Sequence, residues 1–207
     1  MLVTTNPQLS LKDRPCSSHA ASTPSSWNAP ACRPWRPGST PATSHVCAYV
    51  SFQELATRIS HRNTGRYTED PIAEKLLTRV AMDENLHMIF YRNLVTAALE
   101  LAPNETLRAI TDEVIGFQMP GGIIPGFTRK AVQIAKAGIY DLRIHHDDVV
   151  MPLIRQWAVF ELEGLDAEGE QARTELAEAL KALDAAASRF VEQRAEAAAK
   201  KAARAGA

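Results

Sequence analysis

Residues 71–101 read PIAEKLLTRVAMDENLHMIFYRNLVTAALEL, and the periodicity of this stretch decides the fold. Asp70 precedes it as an N-cap, Pro71 occupies the first helical position and Pro103 ends it. Leu76, Val80, Tyr91, Leu94 and Ala98 step by fours and threes as the inward stripe of a helix should. The same steps put Glu84 and His87 on that stripe. An unpaired charge in a core is costly, so a carboxylate and an imidazole there need a compensating partner. Glu-x-x-His places the two side chains one turn apart on one face, the arrangement with which a bundle helix holds a metal ion.

The preceding segment, VSFQELATRISHRNTG (residues 50–65), repeats the anomaly. Phe52, Leu55 and Ile59 form its apolar stripe, Glu54, Thr57 and His61 line the neighbouring face, and Gly65 reads as its terminating C′ residue. Glu54 lies about 16 Å of helix before Gly65, and Glu84 about 20 Å after Pro71. A short antiparallel connection therefore brings Glu54, Glu84 and His87 to nearly one height. Oxygen and nitrogen ligands of this kind suit iron or manganese better than zinc. Against this stands the ordinary alternative, a salt-bridged Glu-x-x-His pair on a helix surface, and His61 reads as a hydrogen-bonded packing residue.

Working outward, a helix is expected around Glu105 to Phe117, then a loop, QMPGGIIPG, too rich in Gly and Pro for regular structure. Phe127 to Ala137, Leu142 to Phe160 and Asp166 to about Ala203 read as further helices, with Leu153, Trp157 and Phe160 as core or interface residues. His145-His146-Asp147-Asp148 has the composition of a metal cluster, but consecutive helical residues point in different directions, so it reads as a polar face. No alternating strand pattern is present, and the fold class is all-α.

The chain of 207 residues is nearly neutral, 23 Lys+Arg against 24 Asp+Glu, which gives no electrostatic pull toward nucleic acid. No apolar run reaches the ~20 residues of a membrane helix, and no secretory h-region is seen, so a cytoplasmic location is expected. Three cysteines then read as thiols. Composition breaks near residue 47: residues 1–46 hold seven of the twelve prolines, eight serines, a single acidic residue (Asp13) and no glutamate. Such a segment buries too little apolar surface to offset its ordering entropy and is expected to be disordered. Three regions follow: 1–46 disordered, 47–195 helical domain, 196–207 a basic Ala-rich tail.

FQELATRISHRNTGR followed by VAMDENLHMIFYRN, with GFQMPG and GIYDLRIHHDDVVMPLIRQWAVFELEGLDAEGEQAR, closely resembles the second half of the acyl-[acyl-carrier-protein] desaturases, especially their actinobacterial branch. The resemblance covers roughly residues 48–195. It implies a ferritin-like helical bundle with a di-iron centre that uses dioxygen, and electrons from a ferredoxin-type donor. Such a centre introduces a cis double bond into a fatty acyl chain on acyl carrier protein, typically in a homodimer. Carried over residue by residue, Glu54, Glu84 and His87 match metal ligands and Thr57 matches a threonine beside the oxygen-binding side. Asp83 matches a carboxylate that orients a metal-bound imidazole. Di-iron carboxylate bundles take a Glu from each of two helices and a Glu-x-x-His from each of the other two, whereas this sequence supplies one of each. The bundle is thus expected to be incomplete and its activity impaired. Residues 1–46 resemble a GC-rich reading frame translated out of register, an idea that fails if the upstream nucleotides encode no further Glu-x-x-His helix in any frame. Two alternatives stay open: a non-catalytic helical fragment or pseudoenzyme, and a metal-binding homodimer that rebuilds the site between chains.

Overall fold

The computed structural model describes residues 40–119, 121 and 124–205. Of the segment 1–46 expected to be disordered, residues 1–39 lie outside the described residues, whereas 40–46 belong to a helix. Those described form α1 (Thr40–Tyr67), α2 (Pro71–Leu101), α3 (Pro103–Gly116), α4 (Phe127–Lys136) and α5 (Leu142–Ile144), then a π-helical segment (His145–Val150), α6 (Met151–Gln156) and α7 (Ala167–Ala205). Among the described residues there is no strand, as expected for an all-α chain.

The antiparallel α1–α2 hairpin carries the candidate ligands. Its connection is short because Asp70 caps α2 at once, accepting from the backbone N–H of Ile72 (2.8 Å) and Ala73 (3.2 Å), while Pro71 needs no donor partner. Two boundaries differ from the sequence reading. α1 begins at Thr40, ahead of the composition break, and runs through Gly65 to Tyr67. Gly65 does not end the helix; it is buried where α1 crosses α2, and a Cβ there would stand 3.1 Å from Glu74 Cα. Its missing side chain lets the two backbones approach.

One core holds the helices together. Phe52 of α1, 1% exposed, meets Phe117 and Trp157 edge-on at ring distances of 6.4 and 5.5 Å, and the Trp157 indole N–H donates to Arg92 O at 3.1 Å. Leu107, Ile110, Leu153, Ile154 and Leu176 complete the cluster. Arg108 bridges Asp112 (2.7 Å) and Glu175 (2.6 Å), tying α3 to α7. The expected helix to Phe160 stops at Gln156, and the chain turns at Ala158 with φ 47°. That turn keeps Trp157 and Leu153 buried and leaves Phe160 exposed.

The stripe expected to face inward on α2 is not the covered one. The buried residues are Ala81, Met88, Val95 and Leu99, whereas Leu76 and Leu94 are 62% and 40% exposed. The reason is that α2 is apolar on two sides. One packs into the core, and no described residue covers the other.

Candidate metal centre

Glu54 projects from α1 and Glu84 and His87 from α2, each offering a ligand atom within 4.8 Å of the others. His87 Nδ1 stands 3.4 Å from Glu54 Oε2 and 3.4 Å from Glu84 Oε2. The heights read from Gly65 and Pro71 do coincide, because the turn between the helices adds only three residues. Both carboxylates are mostly enclosed, with 15% and 20% of their side chains exposed, but the His87 side chain is 59% exposed. His87 is therefore not a core residue, as its position on the stripe suggested; it sits at the open edge of α2.

The electrostatics are those of two carboxylates forced together. Burial, and then the adjacent Glu84 carboxylate, push the Glu54 carboxyl up to about 7, while the hydrogen bond from Glu54 holds Glu84 below the usual carboxylate range. One proton, resident on Glu54, thus spares the pair its mutual repulsion. Even so, Glu54 Oε2 is shielded from water with no hydrogen bond, since its contact with His87 has ion-pair distance without alignment. A cation would satisfy that orphaned oxygen and replace the shared proton. The donor set, two carboxylates and an imidazole, fits iron or manganese.

The other candidate residues are placed differently. The Thr57 hydroxyl donates to carbonyls of its own helix, Gln53 O (3.1 Å) and Glu54 O (3.0 Å). Asp83 pairs with Arg79 at 3.5 Å on the outer side of α2. His61 does reach the site: its Nε2 lies 3.6 Å from Glu84 Oε1. The sequence signal was its position seven residues after Glu54, two turns along one face. The HHDD run is not a uniform polar face either. His145 is buried, stacked on Phe117 at 4.7 Å, with Nδ1 2.8 Å from the Tyr140 hydroxyl, whereas His146 pairs with Asp147 at 2.6 Å. None of this run joins the Glu54, Glu84 and His87 group.

The family model described as fatty acid desaturase matches residues 35–205. The chain belongs to the fatty acid desaturase family, among its acyl-[acyl-carrier-protein] desaturases. A Mycobacterium tuberculosis protein that carries the name acyl-[acyl-carrier-protein] desaturase DesA1 is 52% identical over 142 residues, covering 69% of this chain and 42% of that protein. The chloroplastic stearoyl-[acyl-carrier-protein] 9-desaturase of Gossypium hirsutum is 34% identical over 135 residues, covering 60% of this chain and 34% of that one. Among solved structures, that of DesA2 from Mycobacterium tuberculosis, named for the same activity, matches with a TM-score of 0.54 and 26% identity, over 62% of this chain and 51% of that one. The chain therefore has the ferritin-like helical architecture of the family, and it spans less than half the length of the relatives it matches in sequence.

Proposed function

We propose that Glu54, Glu84 and His87 hold a divalent iron ion and that the protein acts on fatty acyl chains carried by acyl carrier protein, introducing a cis double bond. The observation that carries this reading is the meeting of one carboxylate from α1 with a Glu-x-x-His pair from α2 inside a desaturase-family fold. When bound, iron of this class activates dioxygen and supplies the oxidising power for removing hydrogen from an acyl chain. The chain's own residues do the rest. Glu54 and Glu84 offset the cation's charge, and the enclosure that pushes the Glu54 carboxyl upward makes that neutralisation stronger than in water. His87 supplies nitrogen from the open edge, and His61 braces Glu84 Oε1.

Acyl carrier protein and a ferredoxin-type electron donor are the partners this function requires, and its setting is the cytoplasm. No described helix is long and apolar enough to cross a membrane. A second reading, metal binding without turnover, is favoured by the 59% exposure of the His87 side chain, which leaves the site open to water on one side. The test is a single incubation of the iron-loaded full chain with stearoyl-acyl carrier protein, reduced ferredoxin and dioxygen, with the acyl products analysed by mass spectrometry. Product two hydrogens lighter, lost in Glu84→Gln, is expected; iron-loaded protein without any such product would overturn the desaturase reading in favour of the second.

A further inference from the structure

We infer that the outward face of α4, with the adjoining end of α1, is a docking surface for an acidic protein face, that of the acyl carrier protein. The inference rests on the carrier-bound substrate proposed above and adds where on this chain the carrier is held. It begins from the charges of α4. Its ten residues include Arg129, Lys130 and Lys136 and no acidic side chain. The helix is attached along one side only: Phe127, Ala131 and Ala135 are half-buried, whereas the three cations are exposed and no residue of α4 is fully buried.

The last turns of α1 extend this cationic face. Arg58, Arg62 and Arg66 recur every four residues along one line of the helix. Asn63, the residue after Arg62, donates from its side chain to Ile139 O at 2.9 Å. Ile139 lies three residues past Lys136, so the end of α1 and the end of α4 meet. Six cations gather there against Glu69, Asp70 and Glu74, and Asp70 is already engaged in capping α2. In a chain with a net charge of -1, that is a local excess able to steer and hold an acidic partner.

The fold itself gives these cations nothing to hold. Arg108, Arg143, Arg173 and Arg194 each pair with a carboxylate, but among the described residues the side chain of none of the six has an ion-pair or hydrogen-bond partner. Arg129 and Lys130 stand in the first turn of α4, where the helix dipole disfavours a cation, and no acidic residue there offsets them. Arginines four apart on α1 repel one another. Local choices that work against the helices carrying them are expected where a surface serves a partner. Val132 and Ile134, 42% and 36% exposed, lie among the α4 cations, and apolar contact ringed by charge is what a protein partner recognises. A nucleic acid fits less well, because the one aromatic residue of α4, Phe127, is half-buried and offers no open platform for a base.

The test measures binding and not turnover: the full chain is titrated with fluorescently labelled stearoyl-acyl carrier protein at low salt and at about 0.3 M salt. The wild type should bind at low salt and lose about tenfold in affinity at the higher salt. Arg129→Glu, Lys130→Glu and Lys136→Glu combined should weaken low-salt binding by about tenfold and flatten the salt dependence, with the melting temperature unchanged. Should that reversal unfold the chain, the same three positions changed to Gln should give a smaller loss in the same direction. Lys181→Glu, at an exposed cation of α7, should bind as the wild type does. A triple variant with wild-type affinity and salt response would overturn the docking surface while leaving the carrier-bound substrate in place. An equal loss in Lys181→Glu would reduce the effect to overall charge and overturn it too. Wild-type protein that binds no carrier at either salt would overturn both readings, and an oligonucleotide that displaces the carrier from this face would assign it to nucleic acid instead.

Discussion

Acidification should weaken this fold through His145. Burial first, and then the neighbouring His146, lower its imidazole from an ordinary 6.5 to about 4. The ring is enclosed between Phe117 and the Tyr140 hydroxyl, so it stays neutral in the folded protein. Asp141 and Asp148 also lie near Tyr140, and burial with these two charges pushes its phenol upward, so it remains a hydrogen-bond donor. As the pH falls below 6.5 the unfolded chain takes up a proton that the folded chain refuses. The stability from the neutral ring is therefore fully present above 6.5 and is lost progressively as the pH falls toward 4. At ~1.4 kcal/mol per unit the loss totals about 3 kcal/mol. Glu54 has the opposite sign: its raised value favours the fold below 4.5 and that contribution fades as the pH rises toward 7. The assay must therefore be a difference, urea unfolding of metal-free wild type and His145→Phe at a series of pH values. Phe keeps the stack on Phe117 but leaves the Tyr140 hydroxyl without its acceptor, so the variant starts roughly 1–3 kcal/mol less stable. The gap should close, and then reverse, by about 3 kcal/mol in total between pH 6.5 and 4. A gap that stays constant to within about 1 kcal/mol would refute the account of a neutral, buried ring.

Other perturbations separate core, crossing and cap. Phe52→Ala empties the centre of the aromatic cluster and should cost about 3–5 kcal/mol in denaturant unfolding, with the Trp157 emission changing as its neighbour is removed. Gly65→Ala sets a ~1 kcal/mol gain in helix propensity against a Cβ pressed onto the α2 backbone; the clash should win, lowering stability by about 1–2 kcal/mol. Asp70→Ala removes an acceptor from two N–H groups and should cost about 1 kcal/mol, seen as a lower melting temperature in circular dichroism, with Asp70→Asn largely restoring it.

Much of this was legible in the sequence because helices announce their own ends. Asp70, Pro71 and Pro103 placed α2 to the residue, and simple helix rise brought Glu54 level with Glu84 and His87. What periodicity could not show is which of two apolar faces of α2 is covered. Leu76 and Leu94 obey the same spacing as Ala81, Met88, Val95 and Leu99, and only the packing of α1 distinguishes them. Gly65 illustrates a second limit: one residue type serves both as a helix stop and as a close crossing, and the difference lies in a contact with Glu74 nine residues later. His145 illustrates a third. Its burial comes from the stack on Phe117 and the Tyr140 hydroxyl, contacts from other parts of the chain that the polar composition of the run does not show. For Thr57 the sequence offers resemblance alone; in the structure its hydroxyl bonds two carbonyls of its own helix, as a helical threonine commonly does.

The central claim is that Glu54, Glu84 and His87 form one metal-binding group. It is tested most directly by measuring bound iron per polypeptide after anaerobic ferrous reconstitution, in the full chain and in Glu84→Ala and His87→Ala. About one iron per chain in the wild type, and close to none in either variant, is the result expected of a group in which every ligand is needed. Wild-type protein without iron, or variants that retain the wild-type amount, would contradict it.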